Sequence, residues 1–248
     1  MIQKFIRFIK PFVQRFHYFE DALFTRHNSG FLRNPLFAKA YKRAQIAAGA
    51  AHVENRWRVH VALWLAKLCS GVEGDFVELG TNYGTTASAI MDYLNWNDRG
   101  KCFYLVDSFD GIDPSQVTAE EARAGYVAAS ETRKVSGYYN INAEKCRQNF
   151  ACWERVRVIE GWIPECLKDL ALSKIAFLHI DLNCAAPEIA AFRYLINKMS
   201  KGSFVLLDDY AYLGFESSYS AWNELASELK FEILSLPTGQ GIIHINHS

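Results

Sequence analysis

From residue 71 onward, short runs of β-branched and aromatic residues alternate with longer stretches of helical periodicity. The runs at residues 75–79, 103–106, 156–159, 175–180, 204–207, 231–234 and 242–245 predict seven strands. Segments of crossover length separate the first five, so these are expected to run parallel in right-handed βαβ units. Only residues 235–241 separate the last two, which predicts an antiparallel hairpin at one edge. The expected fold class is α/β, a mostly parallel seven-stranded sheet with helices on both faces.

Upstream, residues 34–70 carry helical spacing, and Gly71 and Gly74 mark its end. This predicts an N-terminal helical extension over residues 1–70 ahead of a domain at 71–248. In the first twenty residues Ile2, Phe5, Ile6, Ile9, Phe12, Val13 and Phe16 recur at helical spacing between Lys4, Arg7, Lys10 and Arg15, with Pro11 breaking the run. The expectation is a helix packed on the domain or on a second subunit of a homo-oligomer. The alternative is a peripheral contact with an anionic membrane surface. Residues 112–145 are too long for an ordinary loop and rich in Ala, Glu, Ser and Tyr. They are expected to form a lid over the substrate, with a helix at 119–129 and with Tyr126, Tyr138 and Tyr139.

Composition narrows the classes. Lys+Arg and Asp+Glu are both 27, so no net field points to nucleic acid. The six cysteines show no C-x-x-C spacing, which fits a reducing, cytoplasmic setting. No apolar run reaches the ~18 residues of a membrane span.

Ligands in such sheets bind at the carboxyl ends of the parallel strands. The first end reads Gly74-Asp75-Phe76-Val77-Glu78-Leu79-Gly80-Thr81-Asn82-Tyr83-Gly84. Gly80 and Gly84 let a ligand press against bare backbone. The pattern is E-x-G-x-x-x-G, not the G-x-G-x-x-G of a pyrophosphate loop. It suits a ligand with an adenosine and no phosphates, such as S-adenosylmethionine, with Glu78, Gly80, Thr81, Asn82, Tyr83 and Gly84 as candidate contacts. Asp107 and Ser108 end the second strand, where a carboxylate matches the paired hydroxyls of a ribose. Gly161 and Trp162 follow the third strand, placed to border an adenine.

Asp181 ends the fourth strand and Asp208-Asp209 the fifth. Three carboxylates at adjacent tips repel one another, and a hard divalent cation relieves this, Mg²⁺ or Ca²⁺ rather than zinc. Such an ion would bind a substrate diol and acidify one hydroxyl. Aspartates also cap helices, but three acids at two adjacent tips favour a metal or acid/base site. His179, on the same strand face as Asp181, is read as a core histidine and only a weak site candidate.

These motifs resemble the macrocin O-methyltransferase (TylF-type) family. The resemblance is carried by Gly74 to Gly80, by Asp107-Ser108-Phe109-Asp110-Gly111, by Glu160-Gly161-Trp162-Ile163-Pro164, by Asp181 and by Asp208-Asp209-Tyr210. It implies a Rossmann-like class I methyltransferase fold and S-adenosylmethionine-dependent O-methylation of a sugar hydroxyl. It also implies Mg²⁺ held by Asp181, Asp208 and Asp209, with Asp181 touching the cofactor and serving as candidate general base. The family usually carries D-G-D-x-Y at the fourth strand, whereas this chain reads His179-Ile180-Asp181-Leu182-Asn183 and keeps one acid of that pattern. The implied acceptor is a sugar of a bacterial surface glycan or a glycosylated metabolite. Two other classes share parts of the pattern. A nicotinamide-dependent oxidoreductase is disfavoured by the missing third glycine, and a non-catalytic glycan-assembly protein has no need of three mutually repelling aspartates.

Overall fold

The computed structural model describes residues 18–246. The amphipathic segment at residues 1–17, with the subunit and membrane contacts expected of it, lies outside the described residues. Its predicted helical spacing does not continue to residue 20. Tyr18–Glu20 (β1) pairs antiparallel with Leu23–Thr25 (β2). Asp21 and Ala22 between them take φ of 50° and 57°, the left-handed pair that a tight two-residue hairpin turn requires.

Two helices follow. Pro35–Ala48 (α1) starts where the Asn34 side chain accepts hydrogen bonds from the Leu36 and Phe37 amides, with proline at its first position. Arg56–Cys69 (α2) buries Val59, Ala62, Leu63 and Ala66 on one stripe. Phe37, Tyr41, Ala44, Val59 and Leu63 share one hydrophobic core with Phe76, Phe103 and Phe177 of the sheet. The helices before residue 70 are therefore a layer of the sheet domain and have no core of their own.

The sheet consists of β3 (Asp75–Leu79), β4 (Phe103–Asp107), β5 (Val156–Glu160), β6 (Ile175–Ile180), β7 (Met199–Leu207), β8 (Leu234–Ser235) and β9 (Gly241–His244). Its order is β5-β4-β3-β6-β7-β9-β8, parallel from β5 to β7 and antiparallel in the last two pairings. The chain runs outward from β3 to β5 and returns to β6, so β3 and β6 flank the switch point where such sheets bind ligands. Successive residues serve opposite faces. Phe76 joins the core under α1 and α2, while Val77 and Leu79 join a second core with Phe192 of α7 (Ala185–Leu195) and Trp222 of α8 (Glu216–Leu229). The edge strand β8 is shorter and later than the predicted 231–234. Lys230 ends α8 in a left-handed conformation, and Phe231 and Ile233 then pack against the second core.

Residues 112–145 hold α4 (Ala119–Arg123), α5 (Tyr126–Val135) and the start of α6 (Ala143–Asn149). The single helix predicted at 119–129 is split because Gly125 sits at φ 85°. Thr118 and Glu121 form a capping box on α4. The buried Glu121 carboxylate also accepts the Ala185 amide at 2.9 Å, satisfying the start of α7 where Cys184 makes no side-chain cap.

Glu188 of α7 is buried and accepts the Trp222 indole N–H at 2.8 Å. Burial pushes its carboxyl up from 4.5 to about 8, more than the Trp222 bond lowers it. The folded chain thus holds a proton that the unfolded chain releases. The associated stability is full below the unfolded pKa and is lost as pH rises toward the folded one. Glu188→Gln should therefore flatten the fall in Tm between about pH 5 and 8. Parallel Tm–pH curves for the two proteins would show that Glu188 is ionised throughout.

Candidate active site

A cleft of about 310 Å³ opens at the carboxyl ends of the parallel strands. Glu78, Gly80, Thr81, Asn82, Tyr83, Asp107, Ser108, Gly161, Trp162, Asp181, Asp208 and Asp209 all line it. Of the predicted site residues only Gly84 does not. At φ 77°, its missing Cβ leaves room for the Phe150 ring, which an added Cβ would approach to 2.2 Å. Gly80 is also bare for a reason internal to the fold. An added Cβ would lie 1.8 Å from the Asp181 carbonyl oxygen, so the space expected for a ligand belongs to the end of β6.

At the β3–β4 end of the cleft, Asp107 fixes the turn after β3. One of its oxygens accepts the Asn82 amide and the other the Phe109 amide, both at 2.7 Å. Each oxygen keeps lone-pair capacity for a diol. Burial raises the Asp107 carboxyl above its ordinary range, and the amide bonds oppose that shift. Asn82, at φ 54°, also joins the lid. Its side chain donates to the Tyr138 carbonyl at 3.1 Å and accepts the Asn140 amide at 2.7 Å.

The acid side is organised by Arg58, in the first turn of α2. Its Nη2 donates to the Asp208 carbonyl at 2.6 Å, to Asp208 Oδ2 at 2.5 Å and to Asp209 Oδ1 at 2.6 Å. Its Nη1 lies 3.5 Å from Asp21 Oδ2, and its guanidinium carbon is 4.9 Å from the centre of the Tyr212 ring. Asp208 Oδ1 accepts Gln240 Nε2 at 2.8 Å. His179 is buried, as expected of a core histidine, and is held between two acids. Its Nδ1 donates to Glu78 Oε1 at 2.9 Å, and its Nε2 lies 3.5 Å from Asp208 Oδ1. Burial would lower its pKa, but Asp208 and Glu78 outweigh that and hold the imidazole at about 10, so it is cationic at neutral pH.

These partners separate Asp208 from the other two acids, for burial raises the Asp209 carboxyl despite Arg58. Burial raises the Asp208 carboxyl, yet Arg58, His179 and Gln240 overcome this and hold it well below the usual range. Burial together with Asp208 and Asp209 pushes Asp181 well above that range. Asp181 Oδ1 accepts Asn183 Nδ2 at 2.9 Å, and Asn183 Oδ1 lies 3.4 Å from Arg133 of α5. Arg133 also donates to the Tyr139 hydroxyl at 2.8 Å, and its guanidinium lies 5.8 Å from the Tyr138 ring centre. Tyr138 and Tyr139 line the cleft, whereas Tyr126 points elsewhere, donating to the Gly214 carbonyl and packing on Phe215.

The donor set expected for Mg²⁺ is thus brought into one cleft, but it is not free. Arg58 already takes one oxygen of each acid of the 208–209 pair, and the other Asp208 oxygen is engaged by Gln240. Among the described residues no group of three or more His, Cys, Asp or Glu is arranged to hold a metal ion. As arranged, the acids fit a guanidinium and not a divalent ion.

The profile of the macrocin O-methyltransferase (TylF) family matches residues 53–231. The chain belongs to that family. Two curated relatives of this TylF-family chain come from Streptomyces. One is the 8-demethyl-8-(2,3-dimethoxy-alpha-L-rhamnosyl)-tetracenomycin-C 4'-O-methyltransferase of Streptomyces olivaceus, 26% identical over 58% of this chain and 56% of its own length. The other is the demethyldecarbamoylnovobiocin O-methyltransferase of Streptomyces niveus, 28% identical over 57% of this chain and 54% of its own length. The chain therefore spans about half the length of the curated relatives it matches. Among solved structures, the O-methyltransferase NovP superposes with a TM-score of 0.71 at 18% identity, covering 86% of this chain and 100% of NovP. The calicheamicin methyltransferase CalS11 superposes at 0.56 and 14% identity, covering 94% and 96%. These likenesses establish the Rossmann-like methyltransferase fold.

Several residues of this TylF-family cleft were not singled out from sequence. Arg58 had a signal, since it falls on the same stripe of α2 as Ala62 and Leu65, where a charge needs a buried partner. Asp21 had none, because it lies just past the first twenty residues and in no predicted element. Arg133 reaches the site only through the fold of residues 112–145.

Gly80→Ala should cost roughly 1–3 kcal/mol or more, since the left-handed φ and the clash with the Asp181 carbonyl act together. Urea unfolding would show this as a lower midpoint at constant slope. An unchanged midpoint would mean that the end of β6 shifts freely.

Proposed function

We propose that this chain is an S-adenosylmethionine-dependent O-methyltransferase acting on a sugar hydroxyl. The observation that carries this reading is the position of Asp181 between the two halves of one cleft. Its amide donates to the Leu79 carbonyl at 2.9 Å and its carbonyl packs on Gly80, at the cofactor turn. Its carboxyl belongs to the acid cluster on the other side.

When bound, S-adenosylmethionine supplies a methyl group on a sulfonium whose charge is lost on transfer. The protein then has to align the reactants, exclude water and receive the hydroxyl proton. Asp107 and the turn from Gly80 to Tyr83 hold the adenosine side, with Trp162 at its border. Asp181 is the carboxylate placed to receive the proton. No step of this transfer is routed through a divalent ion. Tyr138, 40% exposed and lining the cleft, offers an aromatic face to a sugar ring. A sugar acceptor is supported by the relative named for a rhamnosyl tetracenomycin, and a glycosylated metabolite or a surface glycan both present such a ring. Family membership sets this reading above a nicotinamide-dependent oxidoreductase.

Calorimetry with S-adenosylhomocysteine and methyl-transfer assays on glycosylated acceptors test the reading. Asp107→Ala should weaken cofactor binding by about 1.5–3 kcal/mol. Unchanged affinity would remove Asp107 from the cofactor site. Asp181→Asn should keep cofactor affinity and lower transfer by about 10²–10⁴-fold. Full transfer in that variant would overturn its role as base. Tyr138→Ala should raise the acceptor KM more than the cofactor Kd, and equal effects would place the tyrosine away from the acceptor.

A further inference from the structure

We infer that Arg58 is the resident cation of the Asp208–Asp209 pair and that the transfer proposed above proceeds without a divalent ion. The inference rests on that reading for the reaction, and on geometry alone for the cation. Arg58 is only 9% exposed, and one of its terminal nitrogens lies within 2.6 Å of both carboxylates and of the Asp208 carbonyl. Its other terminal nitrogen faces Asp21 at 3.5 Å, and Tyr212 packs against the guanidinium. The hairpin turn, α2 and the segment after β7 thus close around one planar cation.

A divalent ion on the same two carboxylates would sit against a guanidinium that stays charged at any working pH. It would also face His179, which lies 3.5 Å from Asp208. Leaving would cost Arg58 several buried bonds at once, and would strand Asp21 and the Asp208 carbonyl without that donor. One oxygen each of Asp181 and Asp209 remains outside these bonds. Arg58 is therefore a positioning residue. It neutralises and aims the acid pair, the task a metal would otherwise perform.

Two measurements on the full chain decide this. Electron paramagnetic resonance with Mn²⁺ should find no stoichiometric site in the wild type. Arg58→Met should acquire one, and adding Asp209→Asn in that background should remove it. One Mn²⁺ per wild-type chain, lost in Asp209→Asn, would overturn the inference even if Arg58→Met fails to fold. In the second arm, the rate of methyl transfer should be the same in excess EDTA as in Mg²⁺. A rate lost in EDTA and restored by Mg²⁺ would also overturn it. If no sugar is methylated under any condition, the proposed function fails, while the Mn²⁺ arm still reads the cation.

Discussion

Arg58 and the two carboxylates it bridges tie three separate parts of the chain together. The guanidinium comes from α2, the acids from the end of β7, and Asp21 from the β1–β2 turn. His179 of β6 extends the same alternation of charge to Glu78 of β3. Each of these groups loses hydration on burial, and only an opposite charge at hydrogen-bond distance offsets that loss. Removing one partner from such a buried pair typically costs about 3–5 kcal/mol. The network therefore constrains the register of α2 against the sheet as firmly as the apolar stripe beneath it does. It also explains why a helical segment that reads as an appendage is a layer of the domain.

A second network does the same for the other half of the cleft. Asp107 holds the Asn82 amide, and the Asn82 side chain holds the backbone of Tyr138 and Asn140. The Tyr83 hydroxyl adds a bond to the Gly137 carbonyl at 2.8 Å. The turn after β3 and residues 137–140 are thus one hydrogen-bonded unit, anchored by the acid of β4. At its other end the lid is tied to α7 by Glu121, which caps two helices with one buried carboxylate. Between and at these ties the segment brings Arg133 and Tyr138 into the cleft.

The sheet was legible because its signal is local. Apolar runs of strand length, separated by crossovers, dictate parallel order, and a short link dictates the terminal hairpin. The strand-end acids were legible for the same reason, since a fold of this class turns its strand tips into a site. What was not legible depends on distance. Arg58 and Asp208 are 150 positions apart in sequence, and no spacing rule joins them. Asp21 lies just past the helical pattern of the first twenty residues and is placed by a hairpin turn in which two residues take left-handed φ. Gly80 was read correctly as a position that tolerates no Cβ, but the atom it avoids belongs to Asp181 and not to a ligand.

The same electrostatics assign different tasks to acids that look equivalent in the sequence. Asp208 lies against Arg58 and His179, and its proton is held off far below neutrality. Asp181 shares the burial but not the direct cation, and the ionised pair beside it raises its affinity for a proton. Environments that push neighbouring carboxyls apart in this way divide fixed charge from proton acceptor. Without Arg58, Asp208 and Asp209 would repel each other and compete with Asp181 for the proton, and the distinction would collapse. The guanidinium therefore does more than neutralise a pair of acids. By bonding to both it leaves Asp181 as the one of the three acids without a bond to it, raised well above the usual carboxyl range where the turn after β3 meets the end of β6.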